Sequence, residues 1–268
     1  MNDKIANLQD LLTTARRLAA DAGDKIMEIY NQDFHVQDKE DKSPLTAADL
    51  AAHRIIKNGL KAATPQYPVL SEESKQLPFE TRATWPTYWL IDPLDGTREF
   101  IKRNGEFTVN IALIHDHDAV LGVVAAPAKN LSYYAARGHG AFKAADGAQG
   151  KAIATRKPTP KRPTVAGSRS HAGDSLAAFV DKLGDHELIS MGSALKSCLV
   201  AEGVVDIYPR FGPTSEWDTA AAQSVVEEAG GVLNGLDMKK LRYNTKDSLL
   251  NPHFVVIGDP QYHWERYF

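Results

Sequence analysis

The sequence predicts a layered α+β protein in two halves that meet near Pro158. Three observations predict it. The N-terminal part repeats apolar residues at helical spacing, residues 107–142 form β-rich stretches broken by polar turns, and strand and helix patterns alternate beyond a proline-rich joint. Over residues 5–30, Ile5, Leu8, Leu12, Ala15, Leu18, Ala22, Ile26 and Ile29 mark one long amphipathic helix, with Gly23 its weak point. The polar stretch 31–43 follows, and Pro44 bars a helix through it. A second helix is expected over 46–60, burying Leu50, Ile55, Ile56 and Leu60, followed by short buried strands at 67–71 and 88–92. Segments 107–114, 119–126 and 131–135 read as an antiparallel meander. Residues 157–163 hold three prolines, which suit an extended spacer, so the halves are drawn as 1–156 and 157–268. Beyond it the pattern gives a strand at 164–168, helices at 172–183 and 195–202, a strand at 204–208, a helix at 218–229 stopped by Gly230 and Gly231, and a strand at 254–257.

Composition narrows the function. Hydrophobic residues at 43% and charged residues at 24% are the balance of a globular chain with a large core. Lys plus Arg number 31 against 34 for Asp plus Glu, with no basic block, so nucleic acid is not expected as a partner. Cys198 is the sole cysteine, which excludes an intrachain disulfide and a Cys-rich zinc site and fits a reducing compartment. No apolar run approaches the roughly 20 residues of a membrane helix. A cytoplasmic protein without an integral membrane segment is expected; peripheral contact with the inner membrane's cytoplasmic face and the oligomeric state stay open.

The chemistry concentrates in four segments. Asp92, Pro93, Leu94, Asp95, Gly96 and Thr97 follow a buried strand that Pro93 should end as a central strand, and the turn can aim both aspartates at one spot. Gly96 permits close backbone approach, and Thr97 stands where a helix can begin. Two carboxylates beside free helical N–H groups can hold a hard cation and a phosphate together, although an Asp-rich turn with a helix cap explains that pattern equally well. Glu72 and Glu73 lie at the end of another short strand, where an acid pair is usually just solvated. Asp218 opens an apolar helix, where an N-cap is an equal reading, and Thr46 with Asp49 has capping-box spacing.

Taken in order, Thr46-x-Ala48-Asp49, Glu72-Glu73, Asp92 to Thr97 and Trp217-Asp218-x-Ala220-Ala221 resemble the signature of the inositol monophosphatase-like Mg²⁺-dependent phosphomonoesterases, from about Lys42 to Gly231. Residues 92–112, 168–171, 195–203 and 208–213 are further similar to the CysQ-type 3'(2'),5'-bisphosphate nucleotidase branch, with Arg98 where that branch has Lys. The resemblance implies an α-β-α-β-α sandwich of the inositol monophosphatase and sugar phosphatase type. It implies one Mg²⁺ on Glu72, Asp92 and the Leu94 carbonyl and a second on Asp92, Asp95 and Asp218. Thr97 and Asp49 would orient the nucleophilic water, and Glu73 would support that water or a weaker third metal. The Gly96 and Thr97 N–H groups would cradle the scissile phosphate.

The implied reaction removes the 3'-phosphate of adenosine 3',5'-bisphosphate, giving AMP and phosphate. The 3'-phosphoadenylyl sulfate is a second substrate to consider, in a role tied to sulfate assimilation, with lithium sensitivity as a family trait. Substrate contacts would come from Glu72, Leu94, Asp95, Gly96, Thr97 and Asp218, and a second cationic pocket from Lys196, Arg210 and Ser193. Ser168 to His171 are expected to line the ribose or base. The alternatives are an inositol or sugar phosphatase with the same acids, and a non-catalytic nucleotide sensor. His115, Asp116, His117 and Asp118 read as a polar hairpin turn rather than a metal cluster. Trp85, Trp89 and Trp264 read as packing residues, and Cys198 is not placed as a nucleophile.

Overall fold

Three bands of apolar side chains separated by two sheets set the architecture in the computed structural model, which describes residues 7–32, 44–75, 77–168 and 174–268. The first sheet runs in chain order through β1 (Val69–Ser71), β2 (Thr87–Asp95), β3 (Thr108–His115), β4 (Asp118–Ala126), β5 (Leu131–Ala136), β6 (Ala141–Ala145) and β7 (Lys151–Ile153). β1 lies parallel to β2, and every later neighbour is antiparallel. The second sheet comprises β8 (Thr164–Ser168), β9 (Glu187–Met191), β10 (Ile207–Arg210), β11 (Val232–Gly235) and β12 (Phe254–Ile257), in the order β11-β12-β10-β8-β9.

Period-two alternation divides the side chains among the bands. Trp89 and Ile91 of β2, with Val109, Ile111 and Leu113 of β3, face α1 (Leu8–Tyr30) and α2 (Pro44–Ala63). Tyr88, Leu90, Ala112 and Ile114 face the other way, onto α6 (Leu195–Ala201) and α7 (Glu216–Glu228). That middle band also takes Ala166, Tyr208, Phe254 and Val256 from the second sheet. The opposite face of that sheet, with Val165, Ile207, Val255 and Ile257, packs on Phe179 of α5 (Asp174–Leu183) and on Trp264. The order is α-β-α-β-α, the layering the sequence motifs implied. Each fully buried Leu, Ile or Phe contributes about 1.5–3 kcal/mol, so three contiguous bands hold the layers without disulfides. Two short helices, α3 (Phe79–Arg82) and α4 (Thr97–Ile101), sit at the ends of strands.

Helix α7 has ten of its thirteen residues buried because a sheet covers it on either side. Its Ala220, Ala221 and Ala222 let those sheets approach closely. Across from Ala221, β4 carries Gly122, where a Cβ would stand 2.0 Å from the Ala221 carbonyl oxygen. A boundary at residue 157 thus separates the strands of the two sheets but not their shared middle band.

Several elements depart from the expectations. β2 runs through Pro93 to Asp95, since the proline sits in a bulge, where a missing N–H is tolerated. α1 passes unbroken through Gly23, where a Cβ would come 3.0 Å from the Pro127 Cβ and push the helix off the turn after β4. In α2, Ala48, Ala52, Ile56 and Leu60 are buried, whereas Leu50 and Ile55 are only half-buried. β6, β7, β9 and β11 are strands the patterning did not single out. Ile5 and residues 33–43 lie outside the described residues, as do Arg169 to His171.

Candidate active site

The register of β2 against β3 brings the first two aspartates together. Asp92 pairs with Asn110 and Asp95 with Thr108, so three steps on β2 oppose two on β3. In a regular strand residues three apart face opposite sides; the bulge at Pro93 and Leu94 turns Asp95 back to the face of Asp92. The Leu94 N–H donates to Asp92 Oδ1 at 3.1 Å and fixes that carboxyl. Gly96 then adopts φ +94°, and a Cβ there would lie 3.2 Å from the Glu106 carbonyl oxygen and 3.3 Å from the Ser193 Cβ. Only glycine meets both demands at that corner. Thr97 opens α4 on the exposed side of the turn.

The remaining acids arrive from separate elements. β1 is parallel to β2 with Ser71 opposite Ile91, which sets Glu72 beside Asp92 at the carboxyl ends of both strands. Asp218 is the third residue of α7, and its Oδ2 accepts the Ser215 N–H at 2.8 Å. Its two readings coexist: one oxygen caps the helix, while Asp92, Asp95 and Asp218 each offer an oxygen within 4.8 Å of the others. Asp49, buried on α2, faces Glu73. Its Oδ1 is buried without a hydrogen-bond partner, and no hydrogen bond joins it to Thr97 among the described residues.

Crowding acids away from water favours their neutral forms. Burial, then the charge of Glu73, raises Asp49 from 3.8 to about 8. Burial, then Asp95, raises Asp218 to about 7. Asp92 is pushed well above the usual carboxylate range by burial and by Asp95, Glu72 and Asp218. Glu72 is raised as well, by desolvation of its carboxyl and by the charges of Glu73 and Asp95, against a hydrogen bond with Asp92 that pulls it down. Asp95 is raised by burial, against the pull of Lys196 and hydrogen bonds from Ala194 N–H, Thr108 and Asn110. Clustered, desolvated, oxygen-only donors fit a hard divalent cation.

A cavity of about 320 Å³ joins these acids to a cationic wall, lined among others by Asp95, Thr97, Ser193, Lys196, Arg210 and Asp218. Lys196 is buried, its Nζ donating to the carbonyls of Met191 at 3.1 Å and Ser193 at 2.7 Å, 5.3 Å above the Tyr208 ring. Burial lowers its pKa to about 8 despite Asp95. Of its three protons, two are engaged by carbonyls of the described residues. Arg210 donates to the Pro213 carbonyl, while its Nε and the Ser193 hydroxyl are buried without hydrogen-bond partners among the described residues. Ser168 also lines this cavity, and Cys198 is buried with its thiol pushed up.

Three contacts around Asp95 escaped the sequence. Its Oδ2 accepts from Ala194 N–H at 2.8 Å, Thr108 Oγ1 at 3.3 Å and Asn110 Nδ2 at 3.4 Å. The available signal was two polar residues on successive inward positions of an otherwise apolar β3. The His115 to Asp118 segment is a turn: Asp116 and His117 have φ of 48° and 69°, as a type I′ hairpin needs, and the histidine rings bond Thr87 and the Tyr243 carbonyl. Trp89 and Trp264 are buried packing residues, and Trp85 packs partly against the middle band.

Comparison with known proteins places this geometry. The 3'(2'),5'-bisphosphate nucleotidase CysQ of Salmonella typhimurium and that of Escherichia coli K12 are each 50% identical over 248 residues, 92% of this chain and 99% of theirs. A crystal structure of CysQ from Bacteroides thetaiotaomicron superposes with a TM-score of 0.85 at 40% identity, covering 94% of this chain and 98% of that one. An inositol monophosphatase from Zymomonas mobilis, 24% identical and covering 98% of both chains, shares the fold with a TM-score of 0.78. No helix among the described residues is long and apolar enough to cross a membrane. The inositol monophosphatase family model matches residues 7–264, and the chain belongs to that family.

Proposed function

We propose that this protein is a Mg²⁺-dependent 3'(2'),5'-bisphosphate nucleotidase that converts adenosine 3',5'-bisphosphate to AMP and phosphate. The observation that carries the reading is one cavity in which Asp95 and Asp218, clustered with the buried Asp92, adjoin Lys196, Arg210 and Ser193, the last two with buried donors that have no partner among the described residues. A monophosphate needs only the acids and their metal; a substrate with a second phosphate also uses the cations. Half-identical nucleotidases that match over nearly their whole length support the same substrate.

Glu72, Asp92, Asp95, Asp218 and the Leu94 carbonyl would hold two Mg²⁺ ions, with Glu73 beside them. Bound there, the ions would acidify a water and neutralise charge on the leaving oxygen. The chain's own residues do the rest. The Gly96 and Thr97 N–H groups meet the scissile phosphate, held open by the left-handed turn at Gly96. Asp49, with Oδ1 lacking a partner, supplies an acceptor that fixes the attacking water together with the Thr97 hydroxyl. The water oxygen bonds phosphorus as the bond to the 3'-oxygen breaks, and the nucleoside oxygen leaves with a proton. Lys196, Arg210 and Ser193 grip the phosphate that is retained, Arg210 through its planar fork.

The test is phosphate release from adenosine 3',5'-bisphosphate and inositol 1-phosphate side by side, with Mg²⁺ and then with Li⁺. Strong preference for the nucleotide and inhibition by Li⁺ are expected. Preference for the inositol ester would keep the acid site and discard the substrate, and release from neither would favour a nucleotide sensor.

A further inference from the structure

We infer that His53 is a positioning residue of this site, holding the Glu72–Glu73 turn and the Asp49 face of α2 in register through the hydroxyl of Ser71. The inference rests on the proposed role of those acids. Asp49 and His53 are four residues apart on α2, so they share one face, and both are buried. His53 Nδ1 lies 2.9 Å from Ser71 Oγ, on a serine only 1% exposed at the last position of β1. The same Ser71 Oγ accepts the Glu73 N–H at 3.3 Å, and the Ser71 carbonyl accepts the Ser74 N–H at 3.1 Å. Ser71 thus anchors both ends of the turn that presents the two glutamates. With its oxygen taken by Glu73, the hydroxyl proton is free to donate to Nδ1 of a neutral imidazole, which puts the ring proton on Nε2. Burial first, then the nearby Lys57, hold His53 below its ordinary pKa, in keeping with that neutral form.

The contact bridges two elements that are far apart in the chain and that both carry acids of the site. Sheet pairing holds β1 as far as Ser71, with one long bond beyond it from the Glu72 N–H to the Ile91 carbonyl at 3.4 Å, and from Glu73 onward the turn depends on the Ser71 bonds. Without the ring, α2 keeps its apolar packing through Ile56 and Leu60, but among the described residues no other hydrogen bond ties the Ser71 hydroxyl to the helix. Residues that orient ligands from behind a metal site typically change metal affinity or activity by about 10–100-fold when removed.

The experiment compares His53→Asn, His53→Leu, Ser71→Ala and the double His53→Leu/Ser71→Ala with the wild type. In asparagine the Oδ1 atom takes the place of Nδ1 as acceptor, whereas leucine keeps the volume and loses the bond. The readouts are the Mg²⁺-induced rise in melting temperature, which needs no turnover, and kcat, KM and Mg²⁺ half-saturation for the bisphosphate. We expect His53→Leu to lose about tenfold or more in kcat or Mg²⁺ affinity with KM little changed, and His53→Asn to recover most of that loss. The double variant should be no worse than the single ones. Ser71→Ala removes only an oxygen, so it answers the question even where His53→Leu does not fold. A normal Mg²⁺ response and kcat in Ser71→Ala, an asparagine variant as poor as leucine, or additive losses in the double would overturn the inference. A wild type that takes up no Mg²⁺ would instead overturn the reading of the acids, and this inference with it.

Discussion

Stripping divalent ions from this protein should make its stability fall as pH rises. In the metal-free fold Asp49 keeps its proton to about pH 8 and Asp218 to about 7, from an ordinary 3.8, through burial and then through Glu73 and Asp95. The unfolded chain releases those protons near pH 4. Folded pKa values raised above unfolded ones give stability that is complete below pH 4 and lost as pH climbs through 7 and 8. Three units on Asp218 alone correspond to about 4 kcal/mol. Protonating one carboxyl relieves its neighbours, so the cluster as a whole is worth about that much rather than a multiple of it. At this chain length 1 kcal/mol moves the melting temperature by about 2–4 °C, which puts the full loss near 10 °C. Mg²⁺ at a hundredfold excess over its dissociation constant returns about 2.7 kcal/mol, with the largest gain at high pH, where the acids are ready to bind. The assay is thermal unfolding by circular dichroism across about pH 5 to 8, with EDTA and with Mg²⁺, on the wild type and on Asp218→Asn. A melting temperature in EDTA that holds or rises over that range, with no gain from Mg²⁺, would refute the argument that the acids are buried together without a counter-charge.

Other outcomes follow from single contacts. Asp95→Asn should abolish phosphate release while the circular dichroism spectrum stays native, because it removes charge but keeps shape; near-normal turnover would end the two-metal reading. Lys196→Ala should lower kcat/KM for the bisphosphate by 2–3 kcal/mol, about 30- to 150-fold, and spare a simple monophosphate; equal losses on the two substrates would remove Lys196 from the specificity pocket. Gly122→Ala drives a methyl against the Ala221 carbonyl and should cost about 1–3 kcal/mol or more, read as a lower urea midpoint. An unchanged midpoint would mean that α7 does not pack directly on β4.

The layering was legible in the sequence wherever one face of an element is apolar throughout. The α1 stripe and the runs of β3, β4 and β12 show it, because burial on a sheet or against a helix imposes the period directly. β9 was missed for the converse reason: as an edge strand it exposes Leu188 and leaves three of its five residues open, so no alternation survives. β2 was cut short at Pro93, since the sequence shows the missing N–H but not the bulge that absorbs it. In the site, the acids stood out because carboxylates at strand ends are chemically conspicuous in a short ordered pattern. The groups that hold them, Thr108, Asn110, Ser71 and His53, are ordinary polar residues whose significance depends on which strand lies next to which. The unpaired donors of Arg210 and Ser193 are invisible without coordinates for the same reason.

The middle helix layer has a consequence for biosynthesis. Asp92 and Asp95 leave the ribosome well before Asp218, which α7 carries between the sheets. Until that helix is in place Asp92 and Asp95 lack the oxygen of Asp218, and the face of the first sheet carrying Tyr88, Leu90 and Ala112 lacks its cover. A divalent ion shared by Asp92, Asp95 and Asp218 would therefore be held only by a chain that has been completed and has closed its middle layer, because a truncated product lacks one of the three oxygens.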